Sequence, residues 1–212
     1  IKHLLLFLLY PFLDMDLSMT TIPLCLPDSI TPEQFLSEYW QKKPLLIKQG
    51  LPQLIDMFEP DDMLGLAIEE DAAARLLTQA ATKQDGLAQW QLKKSPLTES
   101  DFDNLPEQWT VLVQNLEQWS PELGQLWQAF DFIPQWQRDD IMVSYAPKGG
   151  SVGKHYDDYD VFLAQGYGQR RWQLGKFCDK NTEFVADEPI RLFDDMGEII
   201  FDEILEAGDV LY

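Results

Sequence analysis

Pro147-Lys-Gly-Gly-Ser-Val-Gly-Lys-His155-Tyr-Asp157-Asp-Tyr159-Asp-Val-Phe162 is a glycine-rich loop feeding an alternating segment, and its reading decides the fold. Gly149, Gly150 and Gly153 precede the histidine, so a pliable loop delivers the chain into what reads as a strand. His155, Asp157 and Tyr159 are spaced two apart, and on a strand such residues share one face. An imidazole and a carboxylate placed this way can reach one metal ion. They are two members of the 2-His-1-carboxylate facial triad, which leaves positions on Fe(II) for a chelating co-substrate and O2. The spacing equally suits a loop-capping histidine beside a solvated aspartate, so spacing alone leaves both readings open.

Working outward, the next segment is Gly166-Tyr-Gly168-Gln-Arg170-Arg171-Trp172. On a strand Arg170 and Trp172 share one face and Arg171 takes the other. A guanidinium is a planar fork that stays charged and pairs bidentately with a carboxylate, as an oxo-diacid beside a metal requires. Both arginines also suit a surface role, offsetting nearby acids. On the other side of the loop, Asp140, Met142 and Ser144 alternate onto one strand face. From residue 139 onward, Asp140–Tyr145, His155–Leu163, Gln169–Leu174, Glu198–Ile204 and Val210–Tyr212 read as short strands with glycine turns, the pattern of a β-sandwich or barrel.

Before about residue 138 helical patterns dominate. Thr31 reads as an N-cap with Pro32 at the first position, and the helix would bury Phe35, Leu36, Tyr39 and Trp40. Pro44 to Lys48 reads as a short strand. Asp61 to Leu77 reads as a helix with Met63, Leu64, Ala67, Ile68 and Leu76 as its inner stripe. Ala88 to Lys93 alternates like a strand, and Pro121 to Phe130 opens with a helix-starting proline. The expectation is one α+β unit, residues 22–212, with helices packed outside strands 139–212.

The 212 residues suffice for one domain with an accessory segment, and 45% apolar content supplies a core despite the charge. A formal net charge of −20 opposes direct contact with nucleic acid or anionic lipid. It would speed encounter with a basic protein, or serve solubility alone. The tract from Asp187 to Asp209 carries nine acids against Arg191, which suits either a basic partner or a solvated face. Cys25 and Cys178 form no disulfide framework or CxxC site, as expected of a reducing cytoplasm. Residues 1–21 begin with an apolar leader too short to span a bilayer, expected to stand outside the fold upstream of a start at Met15 or Met19. A secretion signal is the alternative.

Tyr39-Trp-Gln-Lys-Lys-Pro44-Leu-Leu-Ile, the glycine-rich loop, His155-x-Asp157-x-Tyr159-Asp-Val-Phe162, the Arg170 strand and Glu206-Ala-Gly208-Asp209-Val-Leu-Tyr212 occur in that order. Together they resemble the bacterial Jumonji (JmjC)-type ribosomal oxygenases of the cupin superfamily, over about residues 30 to 212. These enzymes hydroxylate an arginine of large-subunit ribosomal protein sixteen. The resemblance implies a double-stranded β-helix, or jelly roll, in a cytoplasmic dioxygenase. It implies Fe(II), 2-oxoglutarate and O2, with succinate formed as the target arginine carbon is hydroxylated. His155 and Asp157 match the first two iron ligands and Arg170 the holder of the distal co-substrate carboxylate. Asp140, Met142 and Tyr159 match the substrate-arginine pocket, where a carboxylate grips the guanidinium and an aromatic ring stacks on it. Met142 and Tyr159 are equally at home in a core.

The resemblance also implies a third iron ligand, a histidine beyond the Gly-Asp-x-Leu-Tyr strand, then a dimerising helical segment and a winged-helix-like domain. No histidine follows His155, and His3 lies in the leader. The chain is therefore expected to be a truncated piece with an incomplete barrel, inactive by itself, and the intact protein a homodimer. Rival readings are a JmjC hydroxylase with another protein target and a non-catalytic cupin-like binding module. A cupin isomerase fits less well, because nothing in such a site calls for Arg170.

Overall fold

A computed structural model describes residues 22–55, 57–82 and 88–212. The expected leader therefore lies outside the described residues.

Helix α1 (Pro32–Glu38) starts where the sequence places it. Thr31 accepts from the Gln34 backbone N–H and the Gln34 side chain returns a bond to Thr31 N, a reciprocal cap that satisfies two orphan donors. Phe35 is fully buried, whereas Leu36 is exposed, which corrects the expected four-residue apolar face. Strand β1 (Leu46–Ile47) follows, then α2 (Pro60–Ala67). The expected helix to Leu77 is not formed. Helix α2 ends at Ala67, and Glu69, Glu70 and Asp71 follow, acids that oppose the negative end of the helix dipole. The chain then enters β2 (Ala74–Thr82). Its alanines, leucines and arginine favour helix locally, but β2 is a central strand paired on both edges, and that pairing overrides propensity.

Strands β3 (Ala88–Lys94), β4 (Trp109–Val113) and β5 (Val143–Tyr145) complete an antiparallel sheet in the order β3-β2-β4-β5. The region before residue 138 is thus built around a sheet as much as around helices. Helix α3 (Pro121–Gln125), capped by Ser120, passes into a 3-10 turn over Leu126–Phe130. Strands β6 (Leu163–Ala164) and β9 (Val210–Leu211) form a second sheet in the order β1-β9-β6, and β7 (Gln169–Leu174) pairs with β8 (Phe201–Glu206). All these pairings are antiparallel. The described strands close no barrel; they make an α+β arrangement of open sheets.

Met63 and Ala67 of α2 pack with Leu76, Val111, Val113, Leu123 and Leu126 in the larger core cluster. A second cluster joins Cys25, Ile47, Leu51, Ala129 and Val210. Beside it, Phe35 meets Tyr212 at 4.9 Å and Phe130 meets Phe162 at 4.9 Å between ring centres. Asp209, nearly fully buried, receives Lys48 Nζ at 2.8 Å and the backbone N–H groups of Gln49 and Glu206 at 3.0 Å. This fixes the glycine turn at Gly208 (φ 92°) that launches β9 between its neighbours.

Candidate functional site

The loop from Pro147 is pressed onto β4. A Cβ on Gly150 would stand 2.3 Å from the Trp109 carbonyl oxygen, and one on Gly153 (φ 78°) would stand 2.4 Å from Leu192 Cδ2. Only glycine fits either position. The chain emerges at His155 in extended loop rather than strand; the expected strand from 155 is reduced to β6 at residues 163–164. The positive φ at Gly153 and the bend at Asp158 and Tyr159 keep this stretch out of a ladder.

The i, i+2 geometry survives without the ladder. His155 Nε2 lies 3.9 Å from Asp157 Oδ2, and both side chains are a little over one-third exposed. His155 Nδ1 lies 3.0 Å from the Gly153 carbonyl oxygen. A carbonyl only accepts, so Nδ1 carries the proton and Nε2 of the neutral ring keeps its lone pair. Two electron-pair donors then face each other across 3.9 Å. A proton or a metal ion satisfies both. Cis ligands with bonds of about 2.1 Å stand about 3 Å apart, so the pair needs to close by about an ångström to hold one ion. The residues present fit a metal as two of its ligands. No third His, Cys, Asp or Glu joins them among the described residues, and His3 lies outside those residues.

Tyr159 lies within electrostatic reach of Asp157, Asp140 and Arg75, and Arg75 in turn touches Met142. Burial raises the Tyr159 pKa first, then the charges of Asp157 and Asp140, with Arg75 opposing and Asp139 adding. One phenol therefore feels the candidate metal ligand and the candidate substrate carboxylate together. Asp140 Oδ2 also accepts from Asn115 N at 3.3 Å. Met142 is 46% and Tyr159 69% exposed, so neither is core. Sequence reasoning missed Arg75. Its terminal nitrogen donates to Met142 Sδ at 3.3 Å, while its buried Nε has no hydrogen-bond partner among the described residues. The only signal was a charge within a segment read as helix.

On β7 the alternation holds: Arg170, Trp172 and Leu174 are half-buried while Gln169, Arg171 and Gln173 are exposed. Arg171 is occupied by Asp202, with Nε donating to Oδ1 at 2.6 Å. Arg170 has no carboxylate partner among the described residues; its Cζ sits 5.9 Å from the Trp172 ring centre. Burial pushes its pKa down, the mark of a cation short of an anion.

Residues 125–212 match the family model described as JmjC domain. This segment is similar to JmjC domains. The chain is 62% identical over 195 residues to a probable ribosomal oxygenase of Haemophilus influenzae, spanning 92% of this chain and 47% of that protein. It is 39% identical over 179 residues to the ribosomal protein uL16 3-hydroxylase of Escherichia coli, spanning 84% of this chain and 45% of that one. The X-ray structure of E. coli YcfD superimposes with a TM-score of 0.74 at 38% identity, covering 87% of this chain and 47% of YcfD. A YcfD complex with cobalt and 2-oxoglutarate gives a TM-score of 0.69 at 37% identity, over 87% of this chain and 45% of that one. The chain thus spans just under half the length of these relatives. The open sheets described above are part of the JmjC, cupin-type jelly roll, and the resemblance read from the motifs holds. Among the described residues no helix is long and apolar enough to cross a membrane.

Proposed function

We propose that the intact protein is an Fe(II)- and 2-oxoglutarate-dependent hydroxylase of a cytoplasmic ribosomal protein, with an arginine side chain as its target. The facing His155 Nε2 and Asp157 Oδ2, with the imidazole tautomer set from behind, carry this reading. Its relatives include a uL16 hydroxylase and a protein that binds cobalt and 2-oxoglutarate.

His155 and Asp157 would hold the iron, and with 2-oxoglutarate and O2 that ion supplies hydroxylation of a C–H bond, releasing succinate and carbon dioxide. Arg170, half-buried and without a carboxylate partner among the described residues, pairs with the distal carboxylate of the co-substrate and orients it. Asp140 accepts from the target guanidinium, Tyr159 stacks on its plane and Met142 lines the way in. Their shared work is to place one side-chain carbon and keep water from it.

The experiment is a turnover assay on the intact protein with Fe(II), 2-oxoglutarate and uL16 peptides. Succinate should form together with peptide carrying one added oxygen on arginine, and His155→Ala should abolish both. Oxygen added to another residue or protein would favour a JmjC hydroxylase of different target. Cobalt bound without succinate on any ribosomal protein would favour the non-catalytic binding module. With two protein donors among its described residues, the 212-residue chain alone should hold cobalt(II) weakly and make no succinate.

A further inference from the structure

Thr110 is the one uncharged polar residue of the described chain that is completely buried, and it sits in β4 among Val111, Leu112 and Val113. Its hydroxyl donates to the Ser151 carbonyl oxygen at 3.0 Å. Ser151 Oγ in turn accepts from the Gly153 backbone N–H at 3.0 Å, and the Gly153 carbonyl faces His155 Nδ1 at 3.0 Å. Three hydrogen bonds, linked covalently through Ser151 and Gly153, therefore lead from the sheet interior to the back of the imidazole. The close fit of Gly150 on Trp109 anchors the same loop one residue away along β4. We propose that Thr110 is a positioning residue for His155. By holding Ser151, it fixes where the Gly153 carbonyl points, and so which imidazole nitrogen is left to bind metal. The proposal rests on His155 being a metal ligand, as argued above.

The physical reason is the cost of a buried hydroxyl. A valine in that place would pack as well, so a hydroxyl here earns explanation by what it holds. Groups that orient a metal-bound histidine from behind typically change metal affinity by about ten- to a hundredfold.

The test compares T110V and T110S in the intact protein. In metal-free protein with nitrogen-15-labelled histidine, the His155 resonance, assigned with H155Q, should report mainly the Nδ1–H tautomer. T110V should shift it toward a mixture and weaken cobalt(II) binding by about tenfold. T110S keeps the hydroxyl and should restore both. L123A, a buried change on α3, controls for lost stability: matched in melting temperature to T110V, it should leave the tautomer unchanged. An unchanged tautomer in T110V, failure of T110S to restore it, or the same shift in L123A would overturn the proposal. If wild-type protein binds no cobalt, the metal reading fails, while the tautomer measurement still decides what Thr110 does.

Discussion

Arg170 and Asp209 show how one residue type gains a task from its surroundings. The two arginines of β7 are adjacent, yet Arg171 is held by Asp202 and Arg170 is half-buried without a carboxylate partner among the described residues. Arg170→Met should therefore weaken 2-oxoglutarate binding about 10- to 100-fold, the loss of a charge-assisted pair, as read by calorimetry with manganese in place of iron. Arg171→Met should change it little, and equal effects would remove Arg170 from the site. At Asp209, burial by itself would raise the pKa, but the bonds from Lys48, Gln49 and Glu206 outweigh it and hold the carboxyl below its usual value. The folded pKa is the depressed one. The stability from Asp209 is thus complete above the unfolded carboxylate value of about 3.9 and disappears as pH falls through the lower folded value. Asp209→Asn should lower stability near neutral pH by about 1–3 kcal/mol and flatten the acid limb of a urea-melt series. An unaltered acid limb would show that the ion pair carries no such linkage.

At the scale of elements, the sequence revealed starts better than stops. Thr31-Pro32 and Pro121 mark helix beginnings because a capping side chain and a fixed φ are local matters; the Ser120 cap came only with the structure. The end of α2 was hidden, because the switch to β2 depends on β3 and β4 lying on either side. The same holds at the loop: the pairing of His155 with Asp157 was legible in their spacing, whereas the absence of a strand there depends on Gly153 and its contact with Leu192. Arg75 escaped notice since its meaning comes from Met142, a residue distant in sequence that lies just before β5. Gly153→Ala tests the loop as a unit. Its positive φ alone costs about 1–2 kcal/mol for a residue with a Cβ, and the Leu192 contact adds to that. The expected result is a lower melting temperature together with loss of cobalt binding. Metal binding that survived intact would mean the loop can be displaced without harm to the site.

For the whole molecule, the question is what the −20 charge is for. Part of the acidic tract is consumed internally: Asp202 holds Arg171, Asp195 lies 3.3 Å from Lys176 and Asp209 is buried with Lys48. The remaining surface field should still draw a basic ribosomal peptide. Raising salt from about 0.1 to 1 M shortens the screening length from about 10 to 3 Å. The KM for a basic peptide should then rise several-fold with kcat held nearly constant. A KM indifferent to salt would leave solubility as the sole role of the charge.

Strand β9 sits between β1 and β6, so Leu46 waits for Leu211 before its edge is filled. Tyr212 then reaches across, its hydroxyl donating to Asp160 at 2.6 Å and accepting from Gln41 N at 2.7 Å. During synthesis the segment bearing His155 leaves the exit tunnel well ahead of the tyrosine that clasps its far side. Order of emergence therefore dictates order of assembly: the turn bearing His155 and Asp157 gains its final fastening only after the Asp209 corner is translated, and a nascent chain stalled before that corner carries the facing pair without the clasp.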